Sequence, residues 1–122
     1  FVAKESTIEA LLNNDLEKGE GIAVARVAGI QAAKQCSNLI PLCHPIAINC
    51  VEIVFEQTSP CHLKIAASVT AQDRTGVEME ALASVSVAAL TLWDMTKAID
   101  NSLVIENITL VTKSKEPVSA AL

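Results

Sequence analysis

The residues of this chain best suited to chemistry fall in four short stretches. Leu39-Ile-Pro-Leu-Cys-His-Pro45 sets Cys43 and His44 in an apolar, proline-braced segment. A partly desolvated imidazole there would be poised near neutrality as an acid or base. Lys18-Gly19-Glu20-Gly21 leads into a helical pattern, and a lysine beside free helix-start amides suits a phosphate. Helix solubility is an equally good account of Lys18, Arg26 and Lys34. Val77-Glu78-Met79-Glu80 supplies paired carboxylates, and Asp94 with Lys97 supplies an acid and a base at i, i+3. These pairs also have structural readings: Glu78 as the N3 residue of a Thr75 capping box, and Asp94–Lys97 as a surface ion pair.

Glu80 and Asp94 point in nearly the same direction on one helix, since fourteen residues make almost a whole number of turns. They are nevertheless roughly 21 Å apart along it. One small ligand cannot touch both within a chain, so two functional ends require a second subunit. Cys43-His44 and Cys61-His62 read at first as four zinc ligands. The hairpin expected below puts His62 level with Glu56, on the order of 40 Å from His44 along an extended strand. No metal ligand is therefore assigned, and Cys61-His62 reads as surface. Neither a P-loop nor a dinucleotide fingerprint is present.

The elements that must position these residues follow from periodicity. Residues 1–4 read as a short strand, and Ser6-Thr-Ile-Glu9 as a capping box opening a helix that stops at Asn13-Asn14-Asp15. A second helix runs from about Ile22 to Gln35, rich in small residues that allow close packing. Val51, Ile53 and Phe55 alternate with polar neighbours, as do Leu63, Ile65, Ala67 and Val69. Apolar matching pairs Phe55 with Leu63, Ile53 with Ile65 and Val51 with Ala67, which leaves Thr58-Ser59-Pro60 as the loop. A third helix, opened by the Thr75-Gly-Val-Glu78 capping box, runs to about Asp100, followed by a last strand over 104–112. The order β-α-α-β-β-α-β is a split βαβ arrangement with one extra helix, which predicts an α+β ferredoxin-like sandwich: an antiparallel sheet with helices packed on one face.

Composition narrows the function. The chain has 122 residues, 51% of them apolar, which predicts a single domain over 1–122 with a loose tail from about Lys113. Fourteen acidic against nine basic residues, two Phe, one Trp and no Tyr argue against a nucleic-acid partner. The longest uncharged apolar stretch, Ala81 to Trp93, is too short to cross a bilayer, so no membrane partner is expected. Four cysteines without a C-x-x-C pair point to a reducing cytoplasm. The third helix is apolar or small around its whole circumference, and burying it on all sides requires a homo-oligomer.

Lys18-Gly19, the run Ala25-Arg26-x-Ala28-Gly29-Ile30-Gln31-Ala32-Ala33-Lys34, the Leu39–Pro45 segment, Thr75-Gly-Val-Glu-Met-Glu-Ala-Leu82 and Asp94-Met95-x-Lys97-Ala98 closely resemble the molybdenum cofactor biosynthesis protein C family. The resemblance covers nearly the whole chain. It implies a ferredoxin-like homohexamer, a trimer of dimers with active sites between subunits. The implied activity is that of a lyase, cyclic pyranopterin monophosphate synthase. It would act on 3′,8-cyclo-7,8-dihydro-GTP, a nucleotide-derived small molecule made by a radical S-adenosylmethionine GTP cyclase, and release pyrophosphate. The resemblance makes Asp94, Lys97 and Lys18 catalytic, and gives His44, Cys43, Glu78, Met79, Glu80 and Lys113 to substrate binding. No cofactor is required, although a pyrophosphate leaving group suits Mg²⁺.

The chain departs from the family pattern in three places. A segment upstream of Phe1 is expected to be missing. The glycine loop after Lys113-Ser114 is replaced by Lys115-Glu116-Pro117-Val118. Trp93 and Thr96 stand where the family usually has Tyr and Cys. The rival to the enzyme is a non-catalytic oligomeric scaffold of the same fold.

Overall fold

Two strands whose apolar side chains alternate with polar ones form an antiparallel hairpin, β1 (Ile48–Ser59) and β2 (His62–Ala71). The computed structural model describes residues 1–72 and 76–112; Thr75, Lys113 and the tail beyond it lie outside the described residues. Around the hairpin are α1 (Glu5–Leu12), α2 (Gly21–Lys34), α3 (Cys36–Leu39) and α4 (Glu78–Thr96). Ile53, Leu63 and Val69 are buried on one sheet face, while Glu52, Val54, Glu56, Lys64 and Ser68 are exposed on the other. The alternation thus places each strand's apolar side toward the helices.

The pairing is Phe55 with Ile65, Ile53 with Ala67 and Val51 with Val69, two residues from the expected register. A shift of two keeps every side chain on its face, so apolar matching could not separate the two. The turn decides it: Ser59 pairs with His62, an irregularity between Gln57 and Ser59 absorbs the offset, and Pro60-Cys61 form the bend. His62 is therefore opposite Ser59 rather than Glu56.

Neither terminal stretch forms the expected strand. Val2 makes single bridges to His62 and Val104, and its amide and carbonyl exchange hydrogen bonds of 2.8 and 3.0 Å with Val104. Beyond that point Asn107 adopts φ 59°, a left-handed conformation that takes the chain out of extended geometry, so no strand runs through 104–112. Among the described residues the sheet has two strands.

The helix starts also differ from expectation. α1 begins at Glu5 with Lys4 in the cap position, and α4 begins at Glu78 with Val77 there; neither cap side chain bonds the helix. Ser6 therefore lies inside α1 and its capping box does not form, while the box expected at Thr75 falls on a residue outside the described ones. The start of α1 is held by a distant carboxylate. Asp100 Oδ2 accepts from the Lys4 amide at 2.9 Å and the Thr7 hydroxyl at 2.8 Å, while Oδ1 accepts from the Ser102 amide and hydroxyl at 2.7 and 2.6 Å. An anion at a helix N-terminus satisfies orphan donors and complements the macrodipole, as a local cap would. α4 itself stops at Thr96, short of the expected Asp100.

α2 packs along α4 through small side chains: Ala25, Ala32 and Ala33 face a helix whose Ser84, Ala88, Ala89 and Leu92 are buried. Gly29 makes the approach possible. A Cβ there would clash with Ile53 and meet the Ser84 carbonyl at 3.1 Å and Ala88 Cβ at 3.3 Å. Arg26 fastens α2 to the sheet, its Nε donating to the Ile53 carbonyl at 3.2 Å and its guanidinium stacking 5.3 Å from the Phe55 ring centre. Ile8, Leu11, Ala25, Leu63, Leu92 and Leu103 close the core below. No helix among the described residues is long and apolar enough to cross a membrane.

Candidate active site

Close packing at the start of α2 positions the first cluster. A Cβ on Gly21 would come within 2.6 Å of Leu11 Cδ2 and 3.1 Å of Leu16 Cδ1, so the glycine lets α2 begin close against α1, with Met95 of the last turn of α4 at contact distance, 3.9 Å. Gly19 ahead of it takes φ +117°, turning the chain so that Lys18 overhangs that turn. Lys18 Nζ donates to the Asp94 carbonyl at 3.0 Å and lies 4.0 Å from Asp94 Oδ2. Lys97, one helical turn beyond Asp94, brings its Nζ to 2.8 Å from Oδ1. The hydrogen bond from Lys97, followed by the charge of Lys18, holds the Asp94 carboxyl below the usual carboxylate range. Two ammonium groups thus converge on one ionised carboxylate that is open to solvent. This arrangement can meet an incoming anion and can also pass a proton.

The opposite end of α4 carries the second cluster. Glu80, in the first turn, is only 3% exposed, and Cys43 Sγ donates to its Oε2 at 3.6 Å. Cys43 Sγ is also 3.9 Å from the Sγ of Cys36, the first residue of α3. Burial, then the Cys43 contact and the Glu80 charge, push the Cys36 thiol up to about 12. Glu78 is half-buried at the start of α4, and Met79 beside it is exposed. His44 is exposed as well, contrary to the desolvated setting expected of it. The prolines hold segment 41–47 outside the sheet, so the apolar residues around His44 do not enclose it; Leu42 is 98% exposed.

Lys18, Asp94 and Lys97 are therefore brought together, as are Cys43 and Glu80, with the length of α4 between the two groups. Lys113 is outside the described residues. Two residues escaped the sequence reading. Cys36 lies seven positions before Cys43, and nothing in that spacing announces the short helix that folds one toward the other. Asp100 reads as a helix-end acid until the Lys4 and Thr7 donors are placed beside it.

These features define an α+β domain with a lysine-bracketed aspartate at one end of its longest helix and a thiol–carboxylate cluster at the other. The MoaC family matches residues 1–116, and the chain belongs to that family. It is similar to the cyclic pyranopterin monophosphate synthase of Desulfitobacterium hafniense, 51% identical over 108 residues, which cover 88% of this chain and 66% of the relative. It also resembles cyclic pyranopterin monophosphate synthase 3 of Mycobacterium tuberculosis, 50% identical over 111 residues (91% and 63%). The synthase of Desulforamulus reducens is 50% identical over 113 residues (93% and 69%). The chain thus spans about two thirds of the length of these relatives, slightly less for the first two.

Proposed function

We propose that the chain is a protomer of a cyclic pyranopterin monophosphate synthase in molybdenum cofactor biosynthesis. Its substrate is 3′,8-cyclo-7,8-dihydro-GTP, supplied by a radical S-adenosylmethionine GTP cyclase, and its products are cyclic pyranopterin monophosphate and pyrophosphate. The relatives' names and the family membership support this reading. The observation that carries it is the convergence of Lys18 and Lys97 on Asp94.

Rearranging the guanine-derived ring into a pterin takes several proton transfers, for which a lysine beside a second cation is suited. Closing the cyclic phosphate takes attack of a ribose hydroxyl on the α-phosphorus with expulsion of pyrophosphate, so negative charge grows on phosphate oxygens. Lys18 and Lys97 meet that charge and move protons. Asp94, kept ionised between them, orients Lys97. His44 and Lys113 serve the triphosphate, while Cys43, Glu78, Met79 and Glu80 hold the guanine-derived ring. The chain needs no resident cofactor in this reading; Mg²⁺ arriving on the triphosphate belongs to the substrate.

The two clusters are roughly 21 Å apart along α4, too far for one substrate. A second copy brings its own cluster to each end, in a homohexamer built as a trimer of dimers. Leu90 and Trp93 on α4 are 58% and 39% exposed, and Leu42 beside the Cys43-His44 pair is almost fully so, which supports an apolar contact between copies. In the assembled form we read the fold as ferredoxin-like. Four free thiols fit a cytoplasmic setting.

The test mixes freshly prepared cyclised GTP intermediate with this chain, and with a form extended to the relatives' length, and follows pyrophosphate and pterin. Product from the unmodified protein and none from Asp94→Ala supports the synthase. No product from either length, with the oligomer intact, leaves the scaffold.

A further inference from the structure

Cys36, Cys43 and Glu80 come from three separate segments: the start of α3, the loop before β1, and the first turn of α4. Their two sulfurs are 3.9 Å apart, Cys43 Sγ is 3.6 Å from Glu80 Oε2, and all three ligand atoms fall within 4.8 Å of one another. Tetrahedral zinc, with bonds of about 2.3 Å to sulfur and about 2.0 Å to oxygen, separates two sulfurs by about 3.8 Å and a sulfur and an oxygen by about 3.5 Å. Two edges of that tetrahedron are thus preformed to within a few tenths of an ångström.

We propose that Cys36, Cys43 and Glu80 form a binding site for a thiophilic divalent cation, Zn²⁺, with the fourth position open to water or an exchangeable ligand. Cys36 and Glu80 are buried and Cys43 is half-buried, so two ligands are anchored in the fold and the third is partly open to solvent. Two sulfurs and one carboxylate favour zinc over Mg²⁺ or Ca²⁺, which prefer all-oxygen shells. Binding displaces one proton from each thiol. Zn²⁺, two thiolates and one carboxylate then carry a net charge of −1.

This set is distinct from the Cys43-His44 and Cys61-His62 pairing that strand geometry disfavours, because Cys61 lies in the hairpin turn and His62 opens β2. It shares Cys43 and Glu80 with the substrate contacts assigned in the synthase reading. Cys36 has no part in that reading, and ion binding is measured without substrate, so either proposal can fail alone.

Reduced, chelator-stripped protein is titrated with Zn²⁺ and, separately, with Co²⁺. One equivalent of zinc per chain should survive desalting, and cobalt should show sulfur-to-metal charge transfer with the visible bands of a tetrahedral site. Cys36→Ser and Cys43→Ser, each confirmed folded by circular dichroism, should raise the zinc dissociation constant more than about a hundredfold, beyond the effect of losing an outer-shell partner. Cys61→Ser and His62→Ala should leave it unchanged. Zinc lost on desalting, a cobalt spectrum without thiolate bands, or undiminished binding in both cysteine variants would overturn the site. So would conversion of Cys36 and Cys43 to a disulfide in protein that takes up no metal. Should Cys36→Ser fail to fold, the half-buried Cys43→Ser decides.

Discussion

Lys18 reaches Asp94 twice, donating to its main-chain carbonyl at 3.0 Å and standing 4.0 Å from its carboxylate. The carbonyl belongs to the last turn of α4, where acceptors have no partner within the helix, so Lys18 serves as a C-terminal cap. The same ammonium contributes to keeping the Asp94 carboxyl low. A lysine needed only as a cap and a lysine needed for chemistry occupy the same place, and substitution separates them.

Lys97→Ala removes an exposed partner of Asp94 and nothing of the core. The melting temperature and oligomer mass should stay as they are, while turnover of the cyclised intermediate falls at least about a hundredfold, the scale of a lost acid–base group. Turnover within a factor of about three of the unmodified protein would remove Lys97 from that role.

Asp100 should govern acid stability. Burial disfavours its charge, but the hydrogen bonds from Ser102, the Lys4 amide and Thr7 outweigh this and hold its carboxyl well below the usual range. Because the folded value lies under the unfolded value of about 3.9, its contribution is complete above roughly pH 5 and drains away as pH falls. Thermal melts should show the unmodified protein losing stability more steeply than Asp100→Asn from about pH 4 downward. At pH 7 the variant should be less stable by about 2 kcal/mol, the scale of hydrogen bonds to a charged group. Parallel pH profiles would mean the carboxylate is dispensable as a charge.

Gly29→Ala tests the contact between α2 and α4. The flexible end of Ile53 can move aside, but the Ser84 carbonyl and Ala88 belong to α4 itself, so the helices must separate. A loss of about 1–3 kcal/mol in urea unfolding is expected. The neighbouring Ala28→Gly, on the half-buried side of α2, should cost only about 1 kcal/mol through helix propensity.

Leu90→Glu places a charge on the exposed apolar strip of α4. Light scattering should show a smaller particle than the unmodified protein, with circular dichroism unchanged. A mass equal to one chain for the unmodified protein at micromolar concentration would end the oligomer proposal.

Local patterning made much of this architecture readable in advance. Alternation located β1 and β2 and identified their buried faces, and Ala-rich, proline-free runs located α2 and α4. Spacing along a single helix put Asp94 beside Lys97, and the motif resemblance singled out Lys18 and the family. Those features depend on energies between residues close in sequence, which a linear reading contains. The hairpin register did not, because a slip of two residues conserves every face and only the Pro60-Cys61 turn breaks the tie. Nor did the start of α1, where Asp100 from the far end of the chain supplies what Ser6 was expected to supply. The terminal strands shrank to the bridges of Val2 because pairing depends on a partner's conformation, and Asn107 turns the partner away. Cys36 joined Cys43 and Glu80 for the same reason: contacts between distant segments are settled only when the helices pack and bring three unremarkable positions into one small volume.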